Sequence, residues 1–383
     1  MSEASPGSAS TSAQPDSGPG PCPLGAEFLP PNLRKHVDPQ APVPLRMMAA
    51  KGLVPFSASD MVGALYLLGF DPDDSVRATA AKTLTTLPDR LLSTALRDEE
   101  IKPQVLRHCL EAFADRNEYV ELLVLNAGTP DDAVAKVASV CQLRVAEIIG
   151  QNQLRILRYD DILRNLCRNP NALASLIDGV CDFAVRNGMV LEDVPQIQAA
   201  RVRVFGPRAL EKPPERGPTA EEVVAENAEL REEDAPPVEE GKRLTLSQRV
   251  GKMSVSEKIK LATIGNKEAR GLLARDPNRL VGVAVIRSPR ITAGEVLGMA
   301  NNRAVIEDVL RVIYSNREWT KNYALKLALA KNPKTPMAIA MRHLSSLREA
   351  DVISLSRNKN IPSGIQMVAK KMVEKKNAPP RER

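Results

Sequence analysis

Apolar residues in this chain come in short runs of two to three helical turns, separated by a polar signal that stops one helix and starts the next. Asp71-Pro72-Asp73-Asp74-Ser75-Val76 opens an Arg/Ala/Leu run. Thr129-Pro130-Asp131-Asp132-Ala133-Val134 repeats the signal before a run of Ala and Val, and Asn169-Pro170 does the same. Proline has no backbone donor, so it is excluded from helix interiors yet suits a first turn. Asp71 or Thr129 is therefore expected to cap its helix, with the following acids at the positive end of the helix dipole. Further along, the signal recurs at Asp276-Pro277, Ser288-Pro289, Asn301-Asn302, Asn316-Arg317, Asn332-Pro333 and Asn358-Lys359, with Ser345-Ser346 inside the widest interval. Capping boxes are expected at Ser254/Glu257, Thr292/Glu295 and Ser346/Glu349.

Helices this short are marginal alone and must bury an apolar stripe against neighbours. Two such units make a helix pair of about 25–31 residues, and stacked pairs of that length build an α-solenoid. The expected fold class is all-α: two α-solenoid blocks of HEAT-like helical repeats, joined by an acidic linker and preceded by a disordered tail.

Proline placement draws the boundaries. Of 30 prolines, ten fall in residues 1–44 and six in 207–241. A Ser/Pro/Gly-rich segment cannot bury a core, so 1–45 reads as a disordered tail and 377–383 as a second. Residues 46–205 form the first helical block, 206–243 an acidic Pro-rich linker, and 244–376 a basic helical block. Within the linker, Thr219 to Glu222 is expected to cap one short helix.

Composition agrees with helices. Aromatics are only 3% of the chain, so the core must be filled by Leu, Val, Ile, Ala and Met. The best apolar run, from Val54 to Phe70, is broken by Ser57, Ser59 and Asp60 and falls short of a membrane span. The amino terminus lacks the basic start and apolar core of a signal peptide. Cys22, Cys109, Cys141, Cys167 and Cys181 have no CxxC spacing and read as reduced thiols of a cytoplasmic protein, four of them buried, although a disulfide pair in an exported protein stays open.

The Pro-Asp-Asp-x-Val-x-x-x-Ala pattern at 72–80 and 130–138 resembles HEAT-like repeats. The second block is similar to a bacterial α-helical repeat domain of an uncharacterised family, through Asp276-Pro277-Asn278-Arg279-Leu280-Val281, Asn316-Arg317-Glu318-Trp319-Thr320-Lys321-Asn322-Tyr323 and Asn332-Pro333-Lys334-Thr335-Pro336. That likeness covers roughly residues 250–376. It implies a fold and no activity.

No catalytic, metal or cofactor set is expected. His36, His108 and His343 are scattered; His108 adjoins Cys109, but neighbours on a helix diverge and no further ligand follows at zinc spacing. Asp131-Asp132 and Asp160-Asp161 read as helix-start acids rather than paired general acids. Gly265, Gly271 and Gly282 are single glycines, not a phosphate loop. Residues 316–326 are the most specific stretch. Arg317, Trp319, Lys321, Tyr323 and Lys326 are candidate partner-binding residues, an aromatic hot spot among bases. On the competing reading, Trp319 and Tyr323 lie one turn apart on one helix and anchor its core.

Charge is divided unevenly. Residues 242–383 hold 29 Lys/Arg and 11 Asp/Glu, while 1–241 hold 24 and 36; within 211–241 there are 11 acids and three bases. A basic helical-repeat surface suits an anionic partner. The function expected is a non-enzymatic protein-interaction scaffold or adaptor that presents a basic helical-repeat surface to an anionic or acidic partner, with nucleic-acid binding by the basic block as the alternative. No membrane partner and no cofactor are expected, and the linker reads either as a solvating spacer that touches nothing or as a competitor of anionic partners for the basic block.

Overall fold

The computed structural model describes Gly20 and residues 22–211, 217–229 and 245–377. Among the described residues there are 24 α-helices and three short 3-10 helices, with no strand. The helices run from five residues (Arg317–Lys321) to 15 (Ser363–Asn377).

The chain forms two compact units, Met1–Ile149 and Gly150–Arg383. This division does not follow the linker. Helices on either side of 206–243 pack together within the second unit. Ser256 Oγ donates to the Leu157 carbonyl at 3.0 Å, and Lys260 Nζ binds Asp160 Oδ2 at 2.9 Å. Gly188, at φ +78°, closes the helix Ala174–Arg186, and a Cβ there would meet the Ser254 Cβ at 2.6 Å. Glycine is required twice over, by its left-handed backbone and by the chain lying against it. Linker composition predicts a spacer; it carries no information about where the chain packs on its return.

Part of the linker is itself built in. Thr219 and Glu222 form a reciprocal cap on the helix Ala220–Glu229. Ala220 and Val223 are buried, that helix packs on Val255–Ile264, and Glu257 accepts from the Ala220 N–H at 2.9 Å. Residues 212–216 and 230–244, which carry the rest of the linker and its competition with partners, lie outside the described residues, as do 1–19, Pro21 and 378–383.

The tail expected over 1–45 is packed from Cys22 onward. Leu29 and Val37 are buried, Phe28 lies against Gly63, and Arg34 donates to the carbonyls of Leu29 and Glu27. Two buried apolar anchors and one arginine hold a segment whose proline content reads as unfoldable.

Two devices tie helices together, and both occur in each unit. The first is an Asx turn at the end of a helix, in which Oδ1 accepts the N–H two residues on. It occurs at Asp71, Asp98, Asn126, Asn169, Asp276, Asn302, Asn332 and Asn358. Two of the buried turn asparagines also reach back. Asn126 Nδ2 donates to the carbonyls of Leu96 and Asp98, both at 2.9 Å, and Asn332 Nδ2 to those of Ala300 (2.8 Å) and Asn302 (3.3 Å). The second is an arginine paired with an acid 25 residues downstream: Arg46 with Asp71, Arg107 with Asp132, and Arg270 with Glu295. Arg270 binds Glu295 in a fork at 2.8 and 3.1 Å and also donates to the Gly265 carbonyl, so this pair is buried with its donors engaged. Burial opposes ionisation of Glu295, yet the hydrogen bonds from Arg270 and Thr292 outweigh it and hold the carboxyl below its ordinary range.

These devices correct several expected caps. Asp71 faces Arg46 inside the unit, and Asp73 caps the helix Asp74–Thr86. Thr129 donates to the Leu123 carbonyl, leaving Pro130 at the start of Asp131–Ala138. The boxes at Ser254 and Thr292 form caps, the second reciprocally. Ser346 instead donates to the His343 carbonyl, because the next helix begins only at Glu349, after Arg348.

Candidate functional site

The stretch 316–326 is built by two successive asparagine caps. Asn316 accepts from the Trp319 N–H at 3.0 Å and starts Arg317–Lys321, and Asn322 accepts from the Ala324 N–H at 2.9 Å and starts Tyr323–Lys331. Trp319 and Tyr323 therefore sit on different helices, and the single-helix spacing expected from sequence does not apply. Trp319 is half-buried. Tyr323 is taken up structurally: its hydroxyl binds Asp351 and accepts from the Arg348 N–H at 3.0 Å, while the Arg348 guanidinium stacks 4.7 Å from the ring centroid. Burial, then the Asp351 hydrogen bond, push the phenol above its ordinary pKa. Lys321 binds Glu318 at 2.6 and 2.8 Å, and Arg317 is exposed. Lys326 lies near His343, whose pKa is lowered by burial and by the charges of Lys326 and Arg342. His343 Nε2 is buried without a hydrogen-bond partner. Of the five expected residues, only Arg317, Trp319 and Lys321 share one short helix.

A denser group of cations lies at the Asx turns. The turns at Asn302, Asn332 and Asn358 meet: Asn332 Nδ2 and Lys334 Nζ reach the carbonyls of Asn302 and Ala304, and Arg303 Nη2 donates to the Asn360 carbonyl at 2.6 Å. Arg303, Lys334, Arg357 and Lys359 are all exposed on or beside these turns. Four acids of the same segment are engaged elsewhere: Glu307 with Arg311, Asp308 with Arg279, Glu318 with Lys321 and Asp351 with Tyr323. Among the described residues none of these four cations is in an ion pair, and the three turns on or beside which they lie touch one another. Exposed apolar side chains lie on the helices that follow two of these turns, Met337 and Met341 after the Asn332 turn and Met367 after the Asn358 turn. The sequence signal, visible once the turns are known, is a base one or two residues after the turn Asn: Asn302-Arg303, Asn332-Pro333-Lys334, Asn358-Lys359.

Elsewhere the paired residues separate. His108 is packed edge-on to Tyr66 at 5.5 Å, and burial pushes the neighbouring Cys109 thiol up to about 12. Asp132 goes to Arg107, Asp160 to Lys260 and Asp161 to Arg164. Among the described residues no three His, Cys, Asp or Glu side chains are grouped to hold a metal ion, and no helix is long and apolar enough to cross a membrane. Comparison with known proteins found no matching family model, no matching curated protein and no matching solved structure.

Proposed function

We propose that the chain is a non-catalytic binding module, built of stacked HEAT-like helix pairs, that presents its basic turn edge to an acidic segment of a partner protein. The observation that carries this reading is the convergence of Arg303, Lys334, Arg357 and Lys359 on three touching turns without a carboxylate among them. Recurrence of the Asx turn at 276, 302, 332 and 358, and of the Arg–acid pair across 25 residues, supports the repeat reading. Such clustered charge raises the local concentration of an anionic partner and speeds encounter.

Met337, Met341 and Met367 favour protein over nucleic acid. Flexible thioethers adapt to an apolar side chain of a peptide, whereas a single-stranded nucleic acid asks for aromatic stacking platforms that this edge lacks. The test is fluorescence anisotropy of a labelled Glu/Asp-rich peptide carrying a few apolar residues, titrated with the full chain beside a DNA duplex of equal charge. Saturable peptide binding, weakened by charge-neutral replacement of the four edge cations, is expected. Preferential binding of the duplex would transfer the edge to the nucleic-acid alternative, and no binding of either would end the reading.

A further inference from the structure

Two cysteines of the second unit lie side by side, though 14 residues separate them in sequence. Cys167 occupies the last turn of Asp160–Arg168, and Cys181 the middle of Ala174–Arg186. The turn that joins these helices begins at Asn169, whose Oδ1 accepts from the Asn171 N–H. It folds the second helix back on the first, and the two Sγ atoms are 3.7 Å apart. Cys181 is fully buried, while Cys167 is half-buried and so the more accessible of the two.

We infer that Cys167 and Cys181 form an oxidation site for hydroperoxides, in which Cys167 is attacked first and Cys181 closes a reversible intramolecular disulfide. A disulfide has its sulfurs about 2.05 Å apart, so the thiols must approach by about 1.6 Å, which side-chain rotation across two packed helices supplies. The electrostatics agree with this order. A hydrogen bond from Cys181 lowers the Cys167 pKa against the opposing effect of burial, with help from the Arg168 charge. Cys181 is pushed well up by that same hydrogen bond and by burial.

In the first step the Cys167 thiolate attacks one peroxide oxygen. The S–O bond forms as the O–O bond breaks, and the departing oxygen takes a proton to leave as alcohol or water. Cys167 is then a sulfenic acid, oxidised by two electrons. In the second step Cys181 gives up its proton and its sulfur attacks Cys167. The S–S bond forms as the S–O bond breaks, and hydroxide leaves with a proton as water. Two thiols and one hydroperoxide thus yield one disulfide, one alcohol or water, and one further water.

Trypsin provides the readout, because cleavage at Arg164, Arg168 and Arg186 puts the two thiols on different peptides, 165–168 and 169–186. The full chain is treated with hydrogen peroxide, blocked with iodoacetamide and digested. The expected product is the linked pair of peptides, dissolved by dithiothreitol and formed at least about tenfold faster than any oxidation of buried Cys109. With Cys181→Ser, Cys167 is expected to persist as a sulfenic acid that dimedone labels. Should that variant fail to fold, phenylarsine oxide on the native chain gives a second measurement, since a dithiol in contact is expected to chelate it and be shielded from alkylation. Complete alkylation of both cysteines after peroxide, a link to Cys22 or to another chain, or absence of arsenical protection overturns the inference.

Discussion

Replacing Asn332 by alanine removes a side chain whose three hydrogen bonds tie two consecutive turns. Its amide donates to the Ala300 carbonyl at 2.8 Å and, less closely, to the Asn302 carbonyl at 3.3 Å, and its Oδ1 accepts from Lys334 N–H at 3.0 Å. Asn332 is 3% exposed, so water does not readily replace it. At roughly 1 kcal/mol net for each good bond and less for the long one, Asn332→Ala should cost about 2–3 kcal/mol. With a urea slope of about 2 kcal/mol/M, the midpoint falls by roughly 1–1.5 M. Trp319 is the only tryptophan of the chain and lies in the same unit, so its fluorescence follows this transition directly. Asn358 is the comparator: its side chain accepts only from the Asn360 N–H and is less buried, so Asn358→Ala should cost about 1 kcal/mol or less. If the two substitutions shift the midpoint equally, the reach-back hydrogen bonds contribute nothing and the coupling between turns is refuted.

Gly188→Ala combines a left-handed backbone with the Ser254 Cβ at 2.6 Å, so it should destabilise the second unit by about 2 kcal/mol or more in urea; a neutral result would contradict the packing of 254–256 there. Arg270→Met leaves Glu295 charged, buried and unpaired and should cost about 3–5 kcal/mol, whereas Arg270→Met with Glu295→Met should recover most of that loss in the same denaturation assay. Burial, Lys326 and Arg342 depress the His343 pKa, so the unfolded chain takes up a proton more readily than the folded one. Stability is then full above about pH 6.5 and declines as pH falls below it, and His343→Gln should flatten that part of the Trp319-monitored profile.

What was legible in sequence was what is local. Helix punctuation at Asp276, Ser288, Asn302, Asn332 and Asn358, and the Thr292/Glu295 box, depend on residues two or three apart. Locality also explains the misplacements. In Asp71-Pro72-Asp73-Asp74 three acids compete for one cap, and the choice falls on Asp73 because Arg46, 25 residues upstream, draws Asp71 inward. Residues 22–45 look unfoldable by composition, yet Leu29 and Val37 find apolar neighbours. Tyr323 and Trp319 keep the right spacing for one helix, but Asn322 restarts the helix between them. The Cys167–Cys181 contact joins two helices that no spacing motif relates, and the turns of the basic edge, each visible alone, are brought together only by packing.

The central claim is that the turn edge, rather than the stretch 316–326, holds the anionic partner. Its most direct measurement is the salt dependence of acidic-peptide binding by two variants of equal charge change, one with Arg303, Lys334, Arg357 and Lys359 replaced by Gln, the other with Arg317, Lys321, Lys370 and Lys371 replaced by Gln. All eight are exposed and both sets leave the core untouched. The edge variant is expected to bind at least about tenfold more weakly at low salt and to lose most of its salt dependence, while the second variant stays close to the native chain. Equal weakening by the two sets, or a larger loss from the second, would contradict the account.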